Sequence, residues 1–271
     1  MAIITLTRGS LSATYKLADA LCSQNPDCTA VSREEIIKYA AKYGMEETGM
    51  AATGYMEVRP PQFWDRQAAQ RRQYLIYFKA SLMDFVLKDN IVYHGHLAQF
   101  QLADVPRVLR VRVDASLEFR VQALMGESNY TQAEARKHIS EIDSRRKNWA
   151  KFLYNVDFND TLNYDIILNM DKMSVDTMAD IIFRAARSPE YSVDEEAKKT
   201  IRDVHLKSVI LAHLARATRT KGMELMIECD ADTGQVKARG LGPIVGSDTW
   251  EADIREVIMG VEGVKEVDVC Y

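Results

Sequence analysis

The stretch Ala2-Ile-Ile-Thr-Leu-Thr-Arg-Gly-Ser-Leu-Ser-Ala-Thr-Tyr-Lys16 decides the fold class. Residues 2–7 are β-branched or apolar and read as a strand that stops at Arg8-Gly9-Ser10. Helical spacing follows, with Leu17, Ala20 and Leu21 on one face. Strand, small-residue turn, helix is how a parallel α/β domain opens. A phosphate can sit at such a turn, because unpaired backbone N–H groups and the helix dipole converge there. A full P-loop, G-x-x-x-x-G-K-[ST], is not met. Counted from Gly9, the place of the second glycine holds Thr14, and Lys16 comes one place late. Spacing alone leaves two readings open, a phosphate-binding turn and an ordinary strand-to-helix connection.

Working outward, Thr29-Ala-Val31 reads as a second strand. Ser32 and Glu35 form a capping box that opens a helix through Ile36 and Ile37. Residues 44–62, rich in Gly, Met and Thr, read as a loop ending in Arg59-Pro60-Pro61. Phe63–Leu87 has a long helical pattern. Ile91–His96, Val108–Val113 and Tyr164–Leu168 read as strands. Leu117–Met125, Thr131–Leu153 and Ser174–Arg187 read as helices. The alternation predicts a parallel sheet flanked by helices over residues 1–188.

Ser188–Ser192 reads as a linker, and residues 193–271 as a small α+β domain. A helix over Asp194–Thr218 leads to a strand over Met223–Cys229. Asp232-Thr-Gly234 turns the chain into Gln235–Arg239 as a hairpin. A helix capped at Ser247 runs over Asp248–Val261, Gly263 ends it, and Val264–Val269 closes as an alternating strand.

The 271 residues suit one large domain or two ordinary ones. Apolar residues at 47% and charged residues at 27% are the balance of a globular protein. The net charge of −4 argues against nucleic acid as a partner. The residues from Glu190 onward carry 11 basic and 16 acidic side chains, whereas the first 189 stand at +1. No apolar run approaches the ~18 residues of a membrane span, and the first residues lack a signal-peptide core. A cytoplasmic protein away from membranes is expected. Cys22 and Cys28 have five residues between them and no CxxC pair exists, so the four cysteines are expected to be reduced structural thiols.

Further motifs occur in a telling order: Thr7-Arg-Gly-Ser, Val31-Ser-Arg-Glu-Glu-Ile-Ile37, Pro61-Gln-Phe-Trp64, Gly95-His-Leu-Ala-Gln99 and Asp104-Val-Pro-Arg-Val-Leu-Arg-Val-Arg112. Ile142-Asp-Ser-Arg-Arg-Lys-Asn-Trp149, Phe152-Leu-Tyr-Asn-Val-Asp157 and Tyr164-Asp-Ile-Ile-Leu-Asn-Met-Asp171 follow. Together they resemble the cytidylate-kinase-like family of P-loop proteins over about residues 2–187. The resemblance implies a nucleoside-monophosphate-kinase fold with a P-loop, a nucleotide-acceptor region and an arginine-bearing lid. ATP with Mg²⁺ would be the phosphoryl donor if the protein is active. Two departures stand out. Leu11, Ala13 and Thr14 occupy places where the family has glycines, and His96 follows Gly95 where the family commonly has arginine. The tail resembles a BON domain through Leu206-Lys-Ser-Val-Ile210, Ile227–Gly240 and Val261-Glu-Gly-Val-Lys-Glu-Val267. That likeness implies a protein partner or self-association.

Phosphoryl transfer is mainly positioning and charge stabilisation, so arginines closing over phosphates are its working parts. By resemblance Arg145 and Arg146 fall in the lid, and Lys16 can reach back as the loop lysine. The alternative for the lid arginines is a solvated helix face, with Glu141 four residues before Arg145. Arg8, Gly9, Ser10, Ser12 and Thr14 are expected around the donor phosphates, and Arg33, His96 and Gln99 around the acceptor. Arg33 reads equally as a surface residue, and Gln99 as a cap after its strand. Asp65, Asp114 and Asp157 are candidates for Mg²⁺ or a base contact. His94 and His96 lack a third ligand, so no resident metal is expected. Two functions follow. One is a kinase acting on a pyrimidine nucleoside monophosphate. The other is a catalytically degenerate nucleotide-binding or scaffold protein whose tail carries the partner contact.

Overall fold

The computed structural model describes residues 2–8, 14–25, 27–48, 60, 67–240 and 249–270. The described residues divide into two compact units. One gathers described residues within Met1–Glu35, Gly54–Trp64 and Asp89–Val193, the other described residues within Ile36–Thr53, Asp65–Lys88 and Asp194–Tyr271.

The chain begins with β1 (Ile3–Arg8), α1 (Thr14–Ser23), β2 (Thr29–Ser32) and α2 (Arg33–Tyr39). After α3 (Ala68–Val86), which belongs to the second unit, come β3 (Ile91–Gly95), α4 (Ala98–Gln101) and β4 (Val108–Asp114). The first unit is completed by α5 (Leu117–Glu127), α6 (Gln132–Tyr154), β5 (Ile166–Asn169) and α7 (Val175–Ala186). Its five strands are all parallel, in the order β2-β3-β1-β4-β5. Residues 2–7 are buried without exception, as in a parallel strand covered on both faces. Ala2, Ile4 and Leu6 share a core with Leu17 and Leu21 of α1 and Met178 and Ile182 of α7. Thr5 and Thr7 therefore face the other side. The chain leaves β1 toward β2 and leaves β4 toward β5, in opposite directions across the sheet. Ligands of open α/β sheets bind at such a switch point, outside the carboxyl ends of the strands.

Local chemistry explains where the helices begin. At α2, the Glu35 amide donates to Ser32 Oγ at 3.1 Å, and the Ser32 amide donates to the Glu35 carboxylate at 2.7 Å. At α6, Thr131 and Glu134 make the same reciprocal pair. The expected N-cap Ser247 lies outside the described residues, and Thr249, which precedes α9 (Trp250–Met259), makes no side-chain cap bond.

The cysteine expectation is corrected. Cys22, in the last turn of α1, is disulfide-bonded to Cys28, with Cα atoms 4.9 Å apart; Cys229 and Cys270 are free thiols. The chain turns back after α1 through backbone bonds from Asn25 to Cys22 and from Cys28 to Asn25, which brings the two sulfurs together. Among the described residues no helix is long and apolar enough to cross a membrane.

The second unit contains α3, α8 (Glu195–Arg216), β6 (Leu225–Asp230), β7 (Gln235–Gly240), α9 and β8 (Glu266–Cys270). β6 and β7 are antiparallel, and β8 joins β7 in parallel. Gly234 turns the hairpin at φ +77°, and a Cβ there would meet the Gly263 carbonyl at 2.6 Å. Ile210 and Leu214 of α8 and Ile254 and Ile258 of α9 bury against Ile227, Val236 and Val267 of the sheet. The linker reading assigns α3 to the first domain. In the structure α3 groups with α8, as the 2.7 Å bond from Gln73 Nε2 to the Ala215 carbonyl illustrates.

Candidate functional site

Outside the carboxyl end of β4 lies a cavity of about 480 Å³. Arg112 and Asp114 enter it from β4, Arg120 from α5, and Asp143, Arg146 and Lys147 from α6. Four cations therefore face two carboxylates. Arginines hold both carboxylates: Arg112 Nε donates to Asp114 at 2.7 Å, and Arg120 Nη1 donates to Asp143 at 2.7 Å. The arginines are largely buried, with side chains 14% and 12% exposed, so these pairs are screened less than surface ones. The surplus positive charge suits an anion.

The cavity connects to the end of β1 by side-chain hydrogen bonds. Thr7 Oγ1 donates to Gln99 Oε1 at 2.7 Å, and Gln99 Nε2 lies 3.4 Å from the Tyr164 hydroxyl. Tyr164 donates to the Phe158 carbonyl at 2.9 Å. Burial pushes the Tyr164 phenol up to about 12; Arg112 opposes the shift and Asp114 adds to it. The hydroxyl is thus a fixed donor at neutral pH. Both ends of the Gln99 amide are engaged within this network. His96 is buried, with its ring 5.2 Å from that of Phe158. Leu97, also buried, holds φ at 65°, a strained conformation for a bulky residue. Such outliers concentrate at functional sites.

The expected residues are only partly brought together. Arg146 lines the cavity, as do Asp114 and Lys147. Arg145 does not line it, and its buried Nε finds no hydrogen-bond partner among the described residues. Lys16 is exposed in the first turn of α1, its ammonium 5.8 Å from the Tyr15 ring centre. Arg33 opens α2 with a guanidinium nitrogen 3.8 Å from Glu34. Asp157 accepts from the Asn159 amide. Gly9, Ser10, Ser12 and Asp65 lie outside the described residues, as do Leu11 and Ala13 and the side chains of Arg8 and Thr14. Sequence reasoning missed Arg112 and Arg120. For Arg112 a signal existed: it is a charged residue at the carboxyl end of a strand whose alternate residues are Leu109, Val111 and Val113.

Among the described residues, no group of three or more His, Cys, Asp or Glu side chains can hold a metal. Asp114 and Asp143 are each committed to an arginine, so these side chains do not build a dedicated Mg²⁺ site.

The model of the cytidylate kinase-like family matches residues 3–172. The parallel sheet and its flanking helices give this region a nucleoside-monophosphate-kinase-like fold. No protein of curated function matches the chain. A crystal structure of an uncharacterized protein from Eubacterium ventriosum ATCC 27560 aligns with 68% of this chain and 97% of that chain, at 19% identity and a TM-score of 0.48.

Proposed function

The chain belongs to the cytidylate kinase-like family, and on that premise we propose that its first unit moves the γ-phosphoryl group of ATP to a pyrimidine nucleoside monophosphate. A phosphate oxygen of the acceptor attacks the γ-phosphorus, the bond to the β–γ bridging oxygen breaks, and ADP leaves. The observation that carries the reading is the cavity beyond β4, where Arg112, Arg120, Arg146 and Lys147 outnumber Asp114 and Asp143. Little covalent work falls to the protein in such a transfer, so a fixed excess of positive charge is the main requirement.

The turn from Arg8 to Lys16 is assigned to the donor, with Gly9, Ser10, Ser12 and Thr14 contributing. Arg33, His96 and Gln99 are assigned to the acceptor, and Arg145 and Arg146 to the migrating charge. Mg²⁺ would enter with the ATP phosphates that chelate it, since the described side chains offer it no site of their own. Residues 193–271 are assigned to a BON-like module that binds a protein partner or a second copy. The succession α8-β6-β7-α9-β8 and the mixed three-stranded sheet support that assignment.

The test is ADP formation by the purified chain with Mg-ATP and each common nucleoside monophosphate. Turnover is expected with CMP or UMP, and no turnover with any acceptor rejects the kinase. A second reading, a degenerate nucleotide-binding protein, is favoured by Leu11, Ala13 and Thr14 in the glycine places and by His96 after Gly95. That reading extends to a scaffold protein and expects weak or absent Mg-ATP binding, so a micromolar Mg-ATP affinity in calorimetry that collapses in Arg145→Ala counts against a pure scaffold.

A further inference from the structure

Arg112 is more constrained than any reading of an anion-binding cavity requires. Its guanidinium has five N–H donors. Nε donates to Asp114 at 2.7 Å, Nη1 to the Phe158 carbonyl at 3.2 Å, and Nη2 to Asn159 Oδ1 at 3.4 Å. The remaining two N–H groups lie on the terminal nitrogens, and the Tyr164 hydroxyl is a further side-chain partner of the guanidinium. The guanidinium also lies 5.2 Å from the Phe158 ring centre and 5.4 Å from that of Tyr164. Cation–π attraction strengthens when the cation is desolvated, and this side chain is only 14% exposed. The Tyr164 hydroxyl bonds the same Phe158 carbonyl that receives Arg112, so the acceptor is itself held in place.

We infer that Arg112 is a pre-set anchor for a phosphoryl oxyanion in this cavity, and that Tyr164 is the positioning residue that keeps it there. Choosing a phosphoryl group over another oxyanion rests on the nucleotide reading above; the constraint on Arg112 does not. Most of the rotamer entropy of a long side chain is already lost before a ligand arrives, so less affinity is spent on ordering it. A planar fork can bridge two oxygens of one phosphate, and an ammonium in its place cannot. Lysine at position 112 is therefore not a conservative change.

The experiment is calorimetric titration of the full chain with inorganic tripolyphosphate, which needs no turnover. Arg112→Lys is expected to weaken binding about tenfold or more. Arg110→Lys, on the same strand, exposed and not lining the cavity, is expected to stay within about twofold of the parent. Tyr164→Phe keeps the ring and is expected to retain affinity within about threefold, whereas Tyr164→Leu loses about tenfold with its circular dichroism intact. That rescue by phenylalanine separates positioning of a cation from a general structural role. Parent-like binding by Arg112→Lys, or no binding of tripolyphosphate by the parent, overturns the inference. If Arg112→Lys does not fold, Tyr164→Leu decides alone, and unchanged affinity overturns it. Failure of the kinase reading looks different: tripolyphosphate still binds through Arg112 while no nucleoside monophosphate is turned over.

Discussion

Two clusters in this molecule use the same parts and reach different results. In the second unit Asp84, 12% exposed, accepts from Tyr43 Oη at 3.0 Å and Lys42 Nζ at 2.8 Å, and its other oxygen is 2.9 Å from His205 Nε2. One carboxylate there meets three partners that converge on it, and it ties α3 to α8 and to the 3-10 turn Ala40–Tyr43. In the first unit two carboxylates meet four cations across an open cavity. A closed set of partners is a structural joint. An excess of one sign around empty volume is a receptor. The ratio of donors to acceptors distinguishes them, and neither burial nor residue type would.

The largest effect is expected at the joint. Asp84→Asn removes the charge on which a lysine and a histidine converge, and should lower the stability of the second unit by about 3 kcal/mol. Urea unfolding measures it, and a loss under about 1 kcal/mol would erase the contrast between the two clusters. The pH dependence has a definite sign. Burial alone would raise the Asp84 pKa, but the bonds from His205, Lys42 and Tyr43 more than offset this and hold it below the ordinary 3.8. The stabilisation is therefore complete well above 3.8 and is lost as pH falls through the lower folded-state value. The stability gap between the parent and Asp84→Asn should shrink below about pH 3.8. A gap that widens on acidification would contradict the arrangement.

At the receptor the effects should appear in binding and leave stability nearly unchanged. Arg146→Ala is expected to weaken Mg-ATP or tripolyphosphate binding by about tenfold, the worth of one charge-assisted contact. The same variant should unfold within about 1 kcal/mol of the parent, because the side chain faces a cavity. A variant that loses stability and keeps its affinity would make Arg146 a structural residue like Asp84.

The two clusters also differ in how far the sequence reveals them. The strands were legible because a parallel strand buried on both faces is almost wholly apolar, as residues 2–7 are. The start of α2 was legible because Ser32 and Glu35 are a reciprocal cap with a fixed spacing, whereas the same pairing of Thr131 with Glu134 emerges only in the structure. The basic run of α6 was legible as charge, and Arg146 of that run does reach the cavity. What joins it there was not. Arg120 and Asp143 are 23 residues apart and meet only because α5 folds back along α6. Arg112 carries a signal, a charge at the carboxyl end of an apolar strand, but its partners Phe158 and Asn159 lie more than 40 residues away. The Asp84 joint was invisible for the same reason, since Lys42, Asp84 and His205 come from three distant segments. The Cys22–Cys28 bond escaped because its spacing matches no CxxC pattern, and backbone turning through Asn25 closed the distance.

Lys147 gives the finest division between the two kinds of cluster. It lines the cavity, it is exposed, and no hydrogen bond or ion pair holds it among the described residues. Its charge acts on a ligand through solvent, so its contribution is small and screened by salt. Lys147→Gln should weaken tripolyphosphate binding about two- to fourfold at low ionic strength and by less than about 1.5-fold near 0.5 M salt. Arg112→Lys should keep most of its deficit over the same range, because a buried fork acts by contact geometry as well as charge. If the two deficits fade in parallel as salt rises, the cavity attracts phosphate only as a diffuse positive surface, and its resemblance to a built receptor ends there. If they separate, the cavity has an inner contact and an outer field. The Asp84 joint should then stand apart from both, its stability responding to acid and hardly at all to salt.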